Sequence, residues 1–266
     1  MKNLDGSDLK FPQDEQISFT EETHTYECHE IGKLMPVSSV VGQFFKKFDT
    51  LYWSRRKSPN EAAAALLREQ WDVKGKRASG TGTFLHKQIE DFLNGKTTPE
   101  LNYHFQYAGQ EPQCAEHIVC DEIINIAREW QYFLDFDRDT EYTPFRTEWR
   151  VFDPNHRIAG TIDLLCRRPD GTMEIYDWKR SNKINPDEKN QWDSGLNGLE
   201  HLTDTTYMHY CLQQNLYRYI LQNNYGLRVS KMNLVVLHPE KSRYEVVNVP
   251  VMDSDVQIIL KRFTFE

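Results

Sequence analysis

With 266 residues, 39% of them apolar and 12% aromatic, the chain can bury one large core or a core with a substantial insertion, which excludes global disorder. It has no apolar run of about 20 residues, as a membrane helix requires, and the opening MKNLDGSDLKFPQDEQ lacks the apolar stretch of a secretory signal, so a soluble, cytoplasmic protein is expected. Five scattered cysteines without a CxxC pair read as reduced thiols rather than a zinc ribbon or an iron–sulfur cluster, and a net charge of −8 argues against nonspecific coating of nucleic acid.

Taken in chain order, ISFTEETHTYEC (17–28) reads as a short hairpin. VSSVVGQFFKKF (37–48) reads as an amphipathic helix with Ser38 or Ser39 at its N-cap. NEAAAALLREQWDVKGKR is helical by propensity. Gly80 and Gly82 are expected to punctuate it, before a further helix, TFLHKQIEDFLNG, that ends at Gly95. Residues 96–116 carry Pro99, Gly109 and Pro112 and read as a loop, and helical spacing is expected from His117 to Phe136. Then come three strand-like runs, TPFRTEWRVFD, RIAGTIDLLCRR and TMEIYDWKR, separated by Pro154-Asn155 and Pro169-Asp170-Gly171. A helix over Met208–Asn223, a buried-type strand MNLVVLHP and a peripheral strand YEVVNVPV complete the chain. From residue 82 the order is helix, three strands, helix, strand: an α/β core around a mixed sheet.

The segment from Gln43 to Lys87 holds ten lysines and arginines against four acids. Lys46, Lys47, Arg55, Arg56, Lys57, Lys74, Lys76 and Arg77 are its candidates for gripping a phosphate chain. A solvated helical face is the competing reading. Tyr52, Trp53 and Trp71 lie in the same stretch as base-stacking candidates, although such aromatics more often belong to a core.

The strongest chemical signal surrounds the Pro169-Asp170-Gly171 turn. Asp163 and Asp177 lie equally far before and after Asp170, so a hairpin centred there places them opposite each other, with Cβ atoms about 5 Å apart. A one-residue slip would put them on different faces. Lys179, two residues beyond Asp177, shares its face. Two adjacent carboxylates repel unless a cation lies between them, and hard oxygen ligands on rigid strands favour Mg²⁺, with Mn²⁺ as its substitute. Lys179 is placed to orient or help deprotonate a water that attacks phosphorus. Standing alone, the trio reads equally well as a surface salt bridge.

Two helix pairs shift that balance. His86 and Glu90 are four residues apart and share a helix face, as do Gln213 and Tyr217 beside the apolar stripe of Leu212, Leu216 and Ile220. Glu90 and His86 are candidate metal ligands. Gln213 and Tyr217 are candidates for contacting a nucleotide or holding Lys179 and the water. Each pair alone reads also as an exposed pair or a cap on the core edge. Glu148, at the start of the first of the three strands, is an accessory candidate.

In order, GTFLHKQIE (82–90), GTID (160–163), DWK (177–179) and QQNLY (213–217) resemble the RecB-like branch of the PD-(D/E)XK nuclease superfamily. The last matches that branch's QxxxY element, and the likeness spans about residues 80 to 240. It implies a restriction-endonuclease-like αβββαβ core, a four-stranded mixed sheet flanked by helices, and Mg²⁺-dependent hydrolysis of phosphodiester bonds. By position it assigns Asp163 and Asp177 as metal-binding acids, Lys179 as the catalytic lysine, and Glu90 and His86 as the auxiliary pair. The layout looks like that of phage-type exonucleases and the mitochondrial genome maintenance exonuclease, which implies a DNA exonuclease acting at free or single-stranded ends in recombination, repair or phage DNA processing. A flap or junction endonuclease and a non-catalytic DNA-binding subunit are the alternatives. No GxxxxGK[ST] motif is present, so no nucleotide cofactor is expected, and the four cysteines of cluster-bearing relatives are missing. Residues 1–80 are expected to be a basic, DNA-gripping extension with a hairpin and helices. Residues 81–266 are expected to be the nuclease core, with a helical insertion at about 96–140.

Overall fold

The computed structural model describes residues 3–114, 116–190 and 192–264. Its contacts divide the chain into two compact units, Met1–Lys46 with Asp137–Glu266, and Lys47–Phe136. The first unit opens with β1 (Ile17–Thr20) and β2 (Thr25–Cys28), the expected hairpin, paired from Ile17–Cys28 to Thr20–Thr25. A third strand, β3 (Gly32–Pro36), adds to β2. Helix α1 (Val37–Gly42) is only six residues long. Its N-cap is Pro36, with no side-chain cap, so Ser38 and Ser39 lie inside the helix rather than capping it. Pro36 presets the chain for helix entry, and the Val37, Val40 and Val41 side chains are buried.

The Lys47–Phe136 unit is built on one long helix. Asp49 caps α2 (Thr50–Arg56) by accepting from the Tyr52 amide, and Asn60 caps α3 (Glu61–Leu93) by accepting from Ala63. Gly80 and Gly82 do not break α3, which runs continuously for 33 residues, about 50 Å. Residue 80, expected as a domain boundary, therefore lies inside a helix. Strong helix formers on both sides outweigh the cost of the two glycines, about 1 kcal/mol each. Gly80 is also needed sterically, because a Cβ there would lie 2.3 Å from the Tyr103 hydroxyl. The expected stop at Gly95 holds: Asn94 is the C-cap, and Gly95 follows with φ of +93°.

The stretch expected to be a loop and then a helix is a hairpin. β4 (Asn102–Ala108) pairs with β5 (Val119–Asn125) over seven residues, and only α4 (Ala127–Asp139) is helical in the insertion. Tyr103, Phe105 and Tyr107 alternate on β4, with Phe105 and Tyr107 buried, and Val119, Ile123 and Ile124 favour strand. The flanking Pro99, Gly109 and Pro112 obscured that alternation. Phe92 meets Trp130 and Phe133 edge-on, at 5.6 and 5.5 Å, joining α3 to α4.

Back in the first unit follow β6 (Pro144–Asp153), β7 (Ile158–Arg167), β8 (Met173–Lys179), α5 (Thr206–Asn224), β9 (Val229–Val236), β10 (Glu245–Asn248) and α6 (Asp253–Lys261). The fold is mixed α/β. Among the described residues the sheet has eight strands in the path β1-β2-β3-β7-β8-β9-β10, with β6 on β7, rather than four. β6 and β7 are antiparallel, as are β7 and β8, whereas β8 runs parallel to β9. α1 and α5 contact each other and the sheet, and α6 packs on α5. Their core includes Trp149, Ile162, Ile175, Leu212, Leu216, Ile220 and Leu234. The 3-10 turn Pro12–Glu15 is tied to β6 by charge. Arg146, 1% exposed, donates twice to Asp14 at 2.9 and 2.7 Å and once to Asn3 at 2.7 Å, and its guanidinium lies over the rings of Phe11 and Trp149.

Removing one member of a buried ion pair leaves the other charge uncompensated. Arg146→Met is therefore expected to lower stability by about 3 kcal/mol or more, read as a fall in the urea midpoint. An unchanged midpoint would show that the N-terminal segment adds nothing to the sheet.

Candidate active site

The turn after β7 fixes the site's register. Arg168 O accepts from the Gly171 amide at 2.9 Å, and Asp170 Oδ1 accepts from the amide and hydroxyl of Thr172 at 3.0 and 2.7 Å. Pairing then runs from Arg167–Met173 to Leu164–Tyr176. The next pair in this register is Asp163 with Asp177, as the turn centre predicts. The ladder stops one step short of it, and the Asp163 carboxylate takes up the freed strand amide: Oδ2 accepts from Trp178 N at 2.9 Å.

The same edge of β7 is shared. β3 pairs with Ile158 and Ala159, and β8 with Leu164 to Arg167. Gly160 to Asp163 lie between the two ladders, where β7 meets a fork rather than a continuous neighbour. The opposite edge is held by β6, where Thr147 pairs with Leu164 and Trp149 with Ile162. Glu148 thus stands across from Asp163, in the left-handed region with φ of +44°. One of its carboxylate oxygens lies within 4.8 Å of one from Asp163. Glu148, Asp163 and Asp177 form a row of carboxylates across three adjacent strands.

Lys179 compensates part of this charge. Its ammonium contacts Asp177 Oδ2 and lies 4.4 Å from the centre of the Tyr210 ring. Burial works against the ammonium, but the Asp177 and Asp163 carboxylates outweigh it and hold its pKa above the ordinary lysine value. Asp177 is 2% exposed. Burial raises the Asp163 pKa against the opposing effects of Lys179 and the Trp178 amide.

Helix α5 contributes Gln213 and Tyr217. Gln213 Nε2 donates to the Tyr217 hydroxyl at 2.9 Å. Burial pushes the Tyr217 pKa well up, and Asp177 and Asp163 push it the same way. The Tyr217 ring occupies the space that a side chain at residue 160 would fill. A Cβ on Gly160 would fall 2.5 Å from the ring's Cε1 and 2.8 Å from its hydroxyl. The structure thus brings together Glu148, Asp163, Asp177 and Lys179, with Gln213 joined to Tyr217 and Tyr217 seated against the fork. Glu148 is drawn closer to Asp163 than its place at the start of a strand suggested. Tyr210 joins the site as well, and no pattern in the sequence marks an aromatic one turn before Gln213 as a lysine platform.

His86 and Glu90 lie on α3, in the Lys47–Phe136 unit. Both are half-buried, and Lys87 pairs with Glu90 at 2.9 Å and with Asp91 at 2.8 Å. The basic candidates Lys46, Lys47, Arg55, Arg56, Lys57, Lys74, Lys76 and Arg77 are all exposed. Three are matched by acids: Arg55 by Glu61, Lys76 by Asp72 and Arg77 by Glu122. Arg56 donates to the Tyr52 hydroxyl at 2.8 Å and lies over Trp53. Phe48, Tyr52 and Trp53 are 62%, 50% and 38% exposed, so Tyr52 and Trp53 are not core residues.

Comparison with protein families matches residues 54–262 to the PD-(D/E)XK nuclease superfamily. The chain belongs to that superfamily. Membership implies a metal-dependent nuclease that hydrolyses phosphodiester bonds, with DNA as its substrate class. Comparison with curated proteins gives no match. Among solved structures, one titled "Crystal structure of SSO0001" is similar over 86% of this chain and 72% of its own. Its identity of 13% and TM-score of 0.32 are too low to carry any inference about this chain. The carboxylate row suits the superfamily's requirement for a divalent ion. Hard oxygen donors converge from neighbouring strands, and their mutual repulsion is only partly offset by one ammonium.

Gly160→Ala is expected to destabilise the protein by about 1–3 kcal/mol through overpacking against Tyr217. Adding Tyr217→Leu should recover part of that loss in thermal unfolding. Equal losses in the single and double variants would show that the Tyr217 ring does not hold this position.

Proposed function

We propose that this superfamily member is a Mg²⁺-dependent deoxyribonuclease of the RecB-like branch, acting as an exonuclease at DNA ends. The observation that carries the proposal is the carboxylate row on β6, β7 and β8, with Lys179 held charged beside it. Asp163 and Asp177, with Glu148 at the rim, are the residues that would hold the ion; Mn²⁺ would substitute. When bound, such an ion stabilises charge on the phosphoryl oxygens and makes water a stronger nucleophile. The protein's own groups position the reaction. Lys179 orients the attacking water by donating a hydrogen bond and offsets negative charge building on phosphorus oxygens. Tyr210 confines the ammonium from its ring side. The Gln213–Tyr217 pair fixes the α5 face against the Gly160–Asp163 fork, and the QxxxY resemblance is what supports the RecB-like reading. The auxiliary ligand roles of His86 and Glu90 rest on the same resemblance.

The exposed Phe48, Tyr52 and Trp53, interleaved with Lys46, Lys47, Arg55, Arg56 and Lys57, offer ring faces and cations to a strand whose bases are unpaired. Ring faces of this kind cannot stack on bases inside an intact duplex. They favour a substrate with a single-stranded end.

With Mg²⁺, the wild-type chain should shorten linear DNA and leave closed circular single strands intact. Asp177→Asn and Lys179→Ala should each lose about 10²-fold or more in rate while retaining the wild-type circular dichroism. Equal activity in wild type and both variants would overturn the assignment of the site. Cutting of circular single strands would make the enzyme an endonuclease instead. DNA binding without hydrolysis by the wild type would favour a non-catalytic subunit.

A separate measurement addresses the grip. Each phosphate contact contributes about 0.7 to 0.9 to the slope of log affinity against log salt. Arg56→Ala with Lys57→Ala should reduce that slope by roughly one to two. An unchanged slope would remove these residues from the DNA path.

A further inference from the structure

The Lys47–Phe136 unit contains a second group of ligating side chains that the nuclease reading does not use. Glu69 on α3, and Cys114 and His117 in the connection between β4 and β5, bring one ligand atom each to within 4.8 Å of one another. Glu69 is built into this place. It is 2% exposed, and its Oε1 accepts from Glu111 N at 3.1 Å and lies 2.5 Å from His117 Nδ1, while Oε2 accepts from Ile118 N at 2.8 Å. The Ile118 amide leads the causes that outweigh burial and hold its pKa down to about 2, so the carboxylate is charged at neutral pH. Gly109 makes room for it, because a Cβ there would lie 2.4 Å from both carboxylate oxygens. A carboxylate has about four acceptor sites, and among the described residues these bonds occupy three.

The donor set selects the ion. A thiolate, an imidazole and a carboxylate make a borderline-soft set that suits Zn²⁺ in tetrahedral coordination and suits the hard Mg²⁺ poorly. Tetrahedral Zn²⁺ with bonds of about 2.0–2.3 Å holds its ligand atoms about 3.2–3.8 Å apart. The three ligand atoms lie within 4.8 Å of one another, and the His117–Glu69 contact of 2.5 Å has to open by about 1 Å to reach that geometry.

We propose that Glu69, Cys114 and His117 form a Zn²⁺ site that clamps the β4–β5 connection to α3. The ion takes the place of the proton between His117 Nδ1 and Glu69, and the neutral imidazole carries its one proton on Nε2 after exchange with solvent. Cys114 binds as thiolate, its S–H bond breaking as the S–Zn bond forms, with the proton released to solvent. Water supplies the fourth ligand. This site shares no residue with the Asp163–Asp177–Lys179 group and does not depend on the nuclease reading.

The test uses Co²⁺ as a spectroscopic probe on the full chain at neutral pH. Wild type should show one equivalent of Co²⁺ with thiolate-to-metal charge-transfer absorption, bleached by one equivalent of Zn²⁺. Cys114→Ser should abolish the band. His117→Ala should weaken Co²⁺ affinity at least tenfold. Asp163→Asn combined with Asp177→Asn should leave the band intact. Cys114 and His117 lie in a surface connection, so both variants are expected to keep the wild-type circular dichroism. No charge-transfer band in folded wild type would overturn the proposal, as would a band that survives Cys114→Ser.

Discussion

The candidate active site depends on the place where β8 stops pairing with β7. One more ladder step would pair the backbones at Asp163 and Asp177. Instead the Asp163 side chain accepts the Trp178 amide. A strand amide at a fork needs a partner once it is shielded from water, and a carboxylate satisfies it while remaining able to accept further bonds. The bond holds the fork open beside Gly160, where the Tyr217 ring enters. It also holds the Asp163 carboxylate against β8 at Trp178, the residue after Asp177. Strand pairing, acid geometry and the packing of α5 therefore share one contact.

The electrostatics follow from that geometry. Three carboxylates on adjacent strands carry more negative charge than Lys179 can match. Lys179 stays charged because two of them face it, and Asp163 takes up protons more readily than an exposed aspartate because burial dominates its surroundings. A constellation built only for stability would not concentrate like charges here, since apolar residues of similar volume would fill the same space at lower cost. The arrangement is suited to receiving a cation. Glu148, held at φ of +44° inside a strand, is consistent with this, because strain at a non-glycine position persists where surrounding structure imposes it and clusters at functional sites.

Much of this was legible in the sequence, for identifiable reasons. The Pro169-Asp170-Gly171 turn has strong local chemistry, so it fixes the register and hence the opposition of Asp163 and Asp177. The helix pair Gln213 and Tyr217 beside Leu212, Leu216 and Ile220 follows from 3.6-residue periodicity. Non-local effects were not legible. Gly80 reads as a breaker, but its lack of a side chain is what admits Tyr103. The β4–β5 hairpin was hidden because β-branched residues at 118–126 satisfy helical and strand spacing alike until their partner strand is known. The addition of β1 to β3 to the sheet rests on the two-residue parallel pairing of Met35 and Pro36 with β7, which no local pattern announces. Glu148 gains its place only through the pairing of its neighbours with Leu164 and Ile162.

The two ligand groups differ in a way that bears on how they would be used. The acid row stands on strands, with β6 paired to β7 and β8 paired to β9 alongside the acids, so its geometry is available before any ion arrives, as catalysis requires of a preorganised site. The Glu69 group draws one ligand from a helix and two from a connection between strands. Binding there would chiefly restrict the connection, lowering its conformational freedom in the folded state and adding to stability through the ion's preference for that state. Hard donors on strands and a softer set at a loop would also sort two different ions to two different places within one chain, by ligand chemistry alone.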